Sequence, residues 1–275
     1  MLRCAKTAAS SLALLLCSTA LTSLSGGSAR SACVDMSTNN FVCYGANGDT
    51  TLNATGSATV RVGDVVAGPA TFSGSLHVYS PGAIALITYP TTTPSNFTGS
   101  SGIQLIQTAT TTGDIIVTGM SAAMNLTGGG VGIYVFAQTS GTTTIETVAG
   151  GAIDNIVLFG DGVIYYNSHT TPGDATITIG AAITAGSYSV LVQTPGGTAT
   201  NTVNLNANVT GAIMFSGGGD STAILNIASG LQVTNGTSWN PAVSVNNQTL
   251  ATITNNGTIT GSGGRTQSLP AALRP

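Results

Sequence analysis

Charged side chains are scarce in this chain. Only 5% of its 275 residues are charged, against roughly 25% in an ordinary soluble domain. Lys6 is the only lysine, and no Lys or Arg lies between Val62 and Gly264. Nucleic-acid-binding proteins obtain most of their affinity from cations that neutralise phosphates, and polybasic membrane-surface proteins need the same cations. The composition argues against both classes, and we expect no nucleic-acid partner.

Helical periodicity is missing as well. Beyond the N-terminal segment, no window of helical length places apolar residues at i, i+3, i+4 and i+7. The hydrophobic content of 42% is nevertheless enough for an extended core. Uncharged polar residues, mainly Thr, Ser, Asn and Gly, must therefore keep the surface soluble.

Short runs rich in Val, Ile, Thr, Leu and Tyr fill the chain from about Thr59 onward, and each ends at Gly, Asn, Asp or Pro. Such runs predict β-strands. Apolar and polar residues alternate most clearly over residues 203–209, which predicts one dry and one wet side. The predicted inward side chains of this run are Val203, Leu205, Ala207 and Val209. We expect a chain that is nearly all β.

Similar segments recur along the chain at an uneven spacing. Five comparable core positions, separated by 30, 23, 34 and 23 residues, are Ile103, Ile133, Ile156, Val190 and Ile213. This spacing is typical of repeat architectures, and a unit of this size holds three short strands and three turns. Gly-rich segments would supply the tight corners. The pattern predicts a right-handed parallel β-helix of about seven to ten coils, with strands at ~4.8 Å.

The N-terminal segment is typical of an export signal. Arg3 and Lys6 form a short positive region, residues 8–24 carry an apolar stretch, and small residues follow before Cys33. A retained membrane helix is the alternative, but the apolar run is shorter than the ~20 residues that a span needs. We therefore expect residues 1–32 to be a signal peptide, with no membrane span in the mature chain.

Two of the four cysteines, Cys4 and Cys17, would leave with the signal, whereas Cys33 and Cys43 would remain. In an oxidising compartment, two cysteines this close are expected to form a disulfide. The alternative is that Cys33 is the lipid-modified first residue of a lipoprotein, but the residues before it lack the apolar residue normal in such signals. The predicted arrangement is an N-terminal cap with the cysteine pair (33–60), a β-helix (61–260) and a flexible tail (261–275).

The chain resembles the passenger region of bacterial autotransporters and haemagglutinin-like adhesins. The resemblance is carried by the Cys33–Cys43 pair after the signal, by the turn and strand at 216–225, and by the Thr/Asn/Gly-rich run at 252–261. It implies export to the cell surface or outer membrane and a translocating β-barrel. The chain ends at Leu273-Arg-Pro275, so we expect that barrel to be separate or missing, or the chain to be a truncated member.

Catalytic groups are few. A polysaccharide lyase or hydrolase with a β-helix fold is the main enzyme alternative, and it needs a basic group or paired carboxylates. The aspartates stand singly beside glycine or in turns, and the two histidines are His77 and His169. Ser221 and the segment 217–220 only weakly resemble a protease serine and a Ca²⁺-binding repeat. We therefore predict no catalytic, metal or cofactor site.

The expected function is non-catalytic adhesion or surface presentation, with glycans or other cell-surface proteins as partners. An outward Thr/Asn surface on a rigid rod suits weak, repeated hydrogen bonding, and many copies on one cell would supply the affinity. A structural matrix or fibre protein is the third possibility. Trp239 and the Tyr165-Tyr166 pair could mark a sugar-stacking site, although such aromatics more often cover a corner of the core.

Overall fold

The computed structural model describes residues 32–64, 68–88, 95–98, 102–119, 124–127, 130–155, 160–218, 220–235, 241–248 and 250–261. Within these ranges all regular elements are β-strands, and no helix there is long and apolar enough to cross a membrane. The predicted signal peptide and tail lie outside the described residues, apart from Ala32 and Gly261. The prediction of an all-β chain is confirmed.

The strands form three faces of a parallel solenoid, and the chain visits each face once per coil. The first face contains β2 (Asn40–Asn47), β4 (Ala58–Val62), β7 (Ile84–Thr88), β10 (Ile115–Gly119), β13 (Thr143–Thr147), β16 (Ala175–Ile179), β18 (Thr200–Leu205), β20 (Thr222–Ile227) and β23 (Leu250–Asn255). The second face contains the end of β2, β5 (Ala70–Phe72), β8 (Ser95–Phe97), β11 (Met124–Thr127), β14 (Ala152–Asn155), the starts of β17 (Ala182–Thr194) and β19 (Val209–Gly217), β21 (Gln232–Asn235) and β24 (Thr258–Gly261). The third face contains β3 (Thr50–Asn53), β6 (Leu76–Ser80), β9 (Ile103–Gln107), β12 (Val131–Ala137), β15 (Asp161–Asn167), the rest of β17 and β19, and β22 (Val243–Asn246).

Equivalent core positions lie directly above one another from coil to coil. On the first face they are Phe41, Val60, Leu86, Val117, Ile145, Ile177, Val203, Leu225 and Ile253. Neighbours in this series are 19 to 32 residues apart, because the turns differ in length while the strands keep their register. The predicted parallel β-helix is thus confirmed, and its handedness stays a prediction.

One predicted repeat position is wrong. On the third face Ile103 pairs with Ile133, Ile133 pairs with Val163, and Val163 pairs with Val190. The equivalent of Ile133 in the next coil is therefore Val163, and Ile156 itself lies outside the described residues. The apolar run at 156–159 has the same sequence pattern as a core strand. The hydrogen-bonded register, however, determines which residue stacks on Ile133, and that residue is Val163.

The core is a column of inward side chains from all three faces. Val203, Leu205 and Val209 are buried as predicted, whereas Ala207 is only partly buried because it lies in the turn between two strands. On the second face Phe72 and Phe97 stack at a centroid distance of 4.5 Å. Such stacking follows from the strand spacing of ~4.8 Å between coils.

The corners bring backbone of successive coils into contact. A side chain at Gly173 would collide with the carbonyl oxygen of Gly141 in the preceding coil. Gly141 would in turn meet the carbonyl of Thr112, 2.5 Å from the position of its Cβ. Glycine is thus required at this corner because it has no Cβ, which explains part of the glycine content.

The N-terminal end differs from the rest of the solenoid. β1 (Ala32–Ser37) pairs antiparallel with β2, and Cys33 lies directly opposite Cys43. The two cysteines form a disulfide, and the Cys43 side chain is fully buried. Parallel stacking already begins in β2, where Phe41 pairs with Val60. β1 therefore covers the first-face edge of the first coil, an edge that would otherwise be open to pairing with another chain.

Candidate functional site

The outer side of the first face is mainly threonine and asparagine. Two outward columns run along the solenoid. The first contains Thr59, Ala85, Ile116, Thr144, Thr176, Thr202, Ile224 and Thr252; the second contains Arg61, Ile87, Thr118, Glu146, Thr178, Asn204, Asn226 and Thr254. Asn226 donates to the Asn204 side-chain oxygen at 2.9 Å, so amides of successive coils are linked. This is the kind of surface that the sequence predicted.

The outer side of the third face has a different chemistry. Two outward columns run along it as well. The first contains Thr51, His77, Gln104, Tyr134, Ile164, Leu191, Met214 and Ser244. The second contains Asn53, Tyr79, Ile106, Phe136, Tyr166, Gln193, Ser216 and Asn246. None of these positions holds Asp, Glu, Lys or Arg. We call the eight large side chains in their middle the aromatic stripe: Tyr79, Ile106, Phe136, Tyr166, Tyr134, Ile164, Leu191 and Met214.

Every member of the aromatic stripe is partly exposed. Phe136 and Tyr166 stack at a centroid distance of 5.4 Å with 16° between the ring planes. Partial burial raises the pKa of Tyr134, and the nearby Tyr166 raises it further. The Tyr134 hydroxyl therefore stays protonated well into the alkaline range and remains a hydrogen-bond donor.

Polar groups border the aromatic stripe at both ends. Toward the N-terminus, His77 Nδ1 and Gln104 Oε1 are 3.1 Å apart. Toward the C-terminus, the outward columns continue with Gln193 and Ser216. The stripe is thus a narrow apolar strip with hydrogen-bonding groups along and beyond it.

The aspartates at the corners bind backbone of the next coil. Asp49 accepts a hydrogen bond from the Ser75 N–H at 2.7 Å, and Asp174 accepts one from the Thr200 N–H at 2.7 Å. Asp114 does the same with the Thr142 N–H at 2.7 Å. Each carboxylate lies just before a strand and supports the start of the equivalent strand one coil later. These aspartates therefore have a structural role, as expected for aspartate in turns.

Asp161 belongs to the same group but is more buried. Burial raises the pKa of its carboxyl, although hydrogen bonds from the Tyr188 N–H and the Ser187 side chain lower it in part. The Tyr188 N–H lies 2.9 Å from Asp161 Oδ1. A raised carboxyl pKa is a feature of general acids, but here the group is held to the backbone as the other corner aspartates are.

The residues that resembled a protease site do not come together as one. Ser221 is fully buried, and its hydroxyl donates to the Gly218 carbonyl at 2.9 Å. His77 lies on the outer third face, whereas His169 lies in the turn after β15 and accepts a hydrogen bond from the Thr171 N–H at 3.0 Å. Ser221 therefore shapes a turn and is not placed as a nucleophile.

The two adjacent tyrosines point to opposite sides of the third face. Tyr165 is fully buried, and burial raises its pKa. Its hydroxyl accepts a hydrogen bond from the Asn167 side chain at 3.0 Å, and Asn167 also donates to the Thr139 carbonyl at 2.9 Å. Only Tyr166 faces outward, in the aromatic stripe. Trp239 lies outside the described residues.

No group of three or more His, Cys, Asp or Glu side chains that could hold a metal ion occurs in the described part of the chain. Asp220, in the segment similar to a Ca²⁺-binding repeat, is exposed, and its neighbour Gly219 is outside the description.

Of the aromatic stripe, sequence reasoning had singled out only Tyr166, through the Tyr165-Tyr166 pair, and had missed the other seven members. Its members are 27 to 30 residues apart along each column between Tyr79 and Tyr166, and each follows one residue after a buried apolar position. Reading only the outward positions of β12 (Val131–Ala137) and β15 (Asp161–Asn167) would have revealed the pair formed by Phe136 and Tyr166.

Comparisons with known proteins add no relative. No protein-family model matches the chain, and neither the curated proteins nor the solved structures give a significant match.

Proposed function

We propose that this chain is an exported, non-catalytic β-solenoid of the autotransporter passenger kind, which presents an extended binding surface outside the cell. Glycans or other cell-surface proteins are its partners. The observation that carries the proposal is the continuity of the outer third face, where outward side chains stack in register over consecutive coils. A rigid solenoid with a long continuous face suits binding to extended or repeated partners.

The placement of the carboxylates supports a non-catalytic role. Asp49, Asp114, Asp161 and Asp174 each bond to backbone of a neighbouring coil. A lyase or hydrolase instead needs carboxylates that converge on a substrate. The N-terminal export-type segment and the disulfide of Cys33 and Cys43 support an oxidising location outside the cytoplasm.

Two measurements test the proposal. On intact producing cells, an externally added antibody or protease should reach the solenoid. The purified chain should not depolymerise pectin, alginate or peptide substrates, with or without Ca²⁺. Turnover that disappears on a single Asp→Ala substitution would show an enzyme, and retention of the chain in the cytoplasm would remove the surface role.

A further inference from the structure

We infer that the aromatic stripe on the third face is a binding site for a neutral, linear polysaccharide chain. This inference rests on the proposed surface function and specifies which face makes contact and with what chemical class of ligand. The shape, the charge and the side-chain chemistry of the stripe support such a ligand.

Shape favours a linear partner. The stripe occupies the third face from β6 to β19, and its two columns are staggered, with Tyr79 at one end and Met214 at the other. The stripe spans six coils, so at ~4.8 Å per coil it is about 25 Å long. Its two columns lie two residues apart along each strand, which makes it about 7 Å wide. Its area is therefore about 175 Å², against about 800 Å² per partner in a stable protein interface. The stripe is too small for a stable dimer and matches a chain lying along the solenoid axis.

Charge favours a neutral partner. The sixteen outward positions of the two third-face columns hold no Asp, Glu, Lys or Arg. Arg61 and Glu146 both lie in outward columns of the first face. An anionic polymer such as alginate would lose hydration on the third face without gaining a cation, which is unfavourable. A neutral polymer has no charged group whose hydration would be lost.

Chemistry favours a sugar chain. A pyranose presents C–H groups and hydroxyls together, and the stripe presents apolar surface beside hydrogen-bonding groups. Phe136 and Tyr166 stack, so each ring covers one face of the other, and the exposed parts of both rings are left for contact. The Tyr134 and Tyr166 hydroxyls and the Gln104 and Gln193 amides can donate to and accept from sugar hydroxyls. Tyrosine is favoured at such sites because one end of the ring is apolar and the other is wet.

Affinity electrophoresis of the purified full-length chain tests the inference. Native gels would contain barley β-glucan or dextran as neutral probes, and alginate or polygalacturonate as anionic probes. We expect retardation by at least one neutral glucan and none by the anionic polymers. The double variant Phe136→Ala/Tyr166→Ala should bind roughly tenfold more weakly, as removal of central aromatic contacts usually does.

A second variant keeps the test sound if the alanine variant is destabilised. Tyr134→Phe/Tyr166→Phe retains both rings and removes only the hydroxyls, so its melting temperature should stay close to that of the parent. Its binding should fall roughly threefold to tenfold, in line with the loss of hydrogen bonds. Thr144→Ala/Thr176→Ala, on the outer first face, is the matched comparison, and it should bind as the parent does.

Several results would overturn the inference. Absence of retardation by both neutral glucans, binding only to anionic polymers, or an equal loss in the first-face variant would each do so. Sedimentation that shows a dimer abolished by Phe136→Ala/Tyr166→Ala, without glucan binding, would assign the stripe to a second copy of the chain. Access to the solenoid on intact cells and the turnover assays are measured separately and do not depend on glucan binding. A failure of the glucan inference is therefore distinguishable from a failure of the proposed function.

Discussion

The first and third faces of the solenoid bury similar apolar side chains on the inside but present different side chains on the outside. Inside, Ile145 and Leu105 are equally buried and stack in register with apolar residues of the coils on either side. Outside, the first face presents Thr176 where the third face presents Tyr166. The stacked backbone constrains inward side chains, whereas outward ones are free to vary. We therefore expect function to depend on the outward side chains, in which the faces differ.

The largest expected effect concerns the shared interior. Ile145→Ala on the first face and Leu105→Ala on the third face should each lower the free energy of unfolding by about 2–5 kcal/mol, because both leave a cavity in a fully buried column. Chemical denaturation would measure both losses. The outward neighbours Thr144→Ala and Gln104→Ala should change stability by less than about 0.5 kcal/mol. A large difference between the two interior losses would contradict the view that the faces share one core.

The disulfide stabilises the N-terminal end of the solenoid, where β1 covers the first face. Cys33→Ser/Cys43→Ser should cost about 2–4 kcal/mol, the usual range for a native disulfide. Hydrogen exchange should then rise first in β1 and β2 and leave β12 and β15 protected. Before that experiment, mass spectrometry of unreduced protein should show no free thiol at either position. Two free thiols would contradict the pairing.

The corner aspartates should act alike on both faces. Asp174→Ala on the first face and Asp49→Ala on the third face each remove an acceptor for a backbone N–H of the next coil. We expect losses of about 0.5–1.5 kcal/mol in thermal or chemical unfolding. Asp174→Asn and Asp49→Asn keep a side-chain oxygen and should recover most of the stability. If asparagine were as harmful as alanine, charge and not the hydrogen bond would be the cause.

Neighbouring outward side chains should be coupled more strongly on the third face than on the first. A double-mutant cycle on Phe136 and Tyr166 should give a coupling of about 0.5–1.5 kcal/mol, as stacked aromatic pairs do. The same cycle on Asn204 and Asn226, whose amides are 2.9 Å apart, should give about 0.5 kcal/mol or less because water competes for the bond. Equal couplings would mean that the outer faces differ in composition but not in energetics.

The smallest expected effect is a pH dependence at Asp161. Its folded-state pKa is raised above the ordinary value of 3.8, first of all by burial. Between the unfolded and folded pKa values the folded state binds more protons, so stability falls as pH rises through that window. Asp161→Asn should remove this component of the pH profile in unfolding experiments from pH 3 upward. An unchanged profile would show that another group is responsible.

Much of the fold could be predicted because strand patterns are local. The alternation around Val203 and Leu205 reports burial directly, and both residues are buried. The equivalence of Ile133 and Val163 could not be predicted, because insertions in the turns make the spacing uneven. Deciding it requires the hydrogen-bonded register, which no single segment contains.

Apart from Tyr166, the candidate site could not be predicted from the sequence, for the same reason. Tyr79, Ile106, Phe136 and Tyr166 form one column only after four strands are aligned. In the sequence each is a lone outward residue of a strand, and scattered exposed apolar residues are ordinary. The corner role of the aspartates was easier to foresee, because Asp114 and Asp174 each follow a glycine at a turn.

The corner bonds also bear on how the chain folds. Asp49, Asp114, Asp161 and Asp174 all accept from a coil later in the sequence, and Asn208 likewise accepts from the Gln232 N–H. A finished coil therefore offers acceptors that are satisfied only when the following coil is laid on it. Together with nearest-neighbour contact between repeats, this makes growth stepwise, one coil templating the next. Beginning at the disulfide-linked hairpin, such growth would proceed in the order in which a chain emerges N-terminus first.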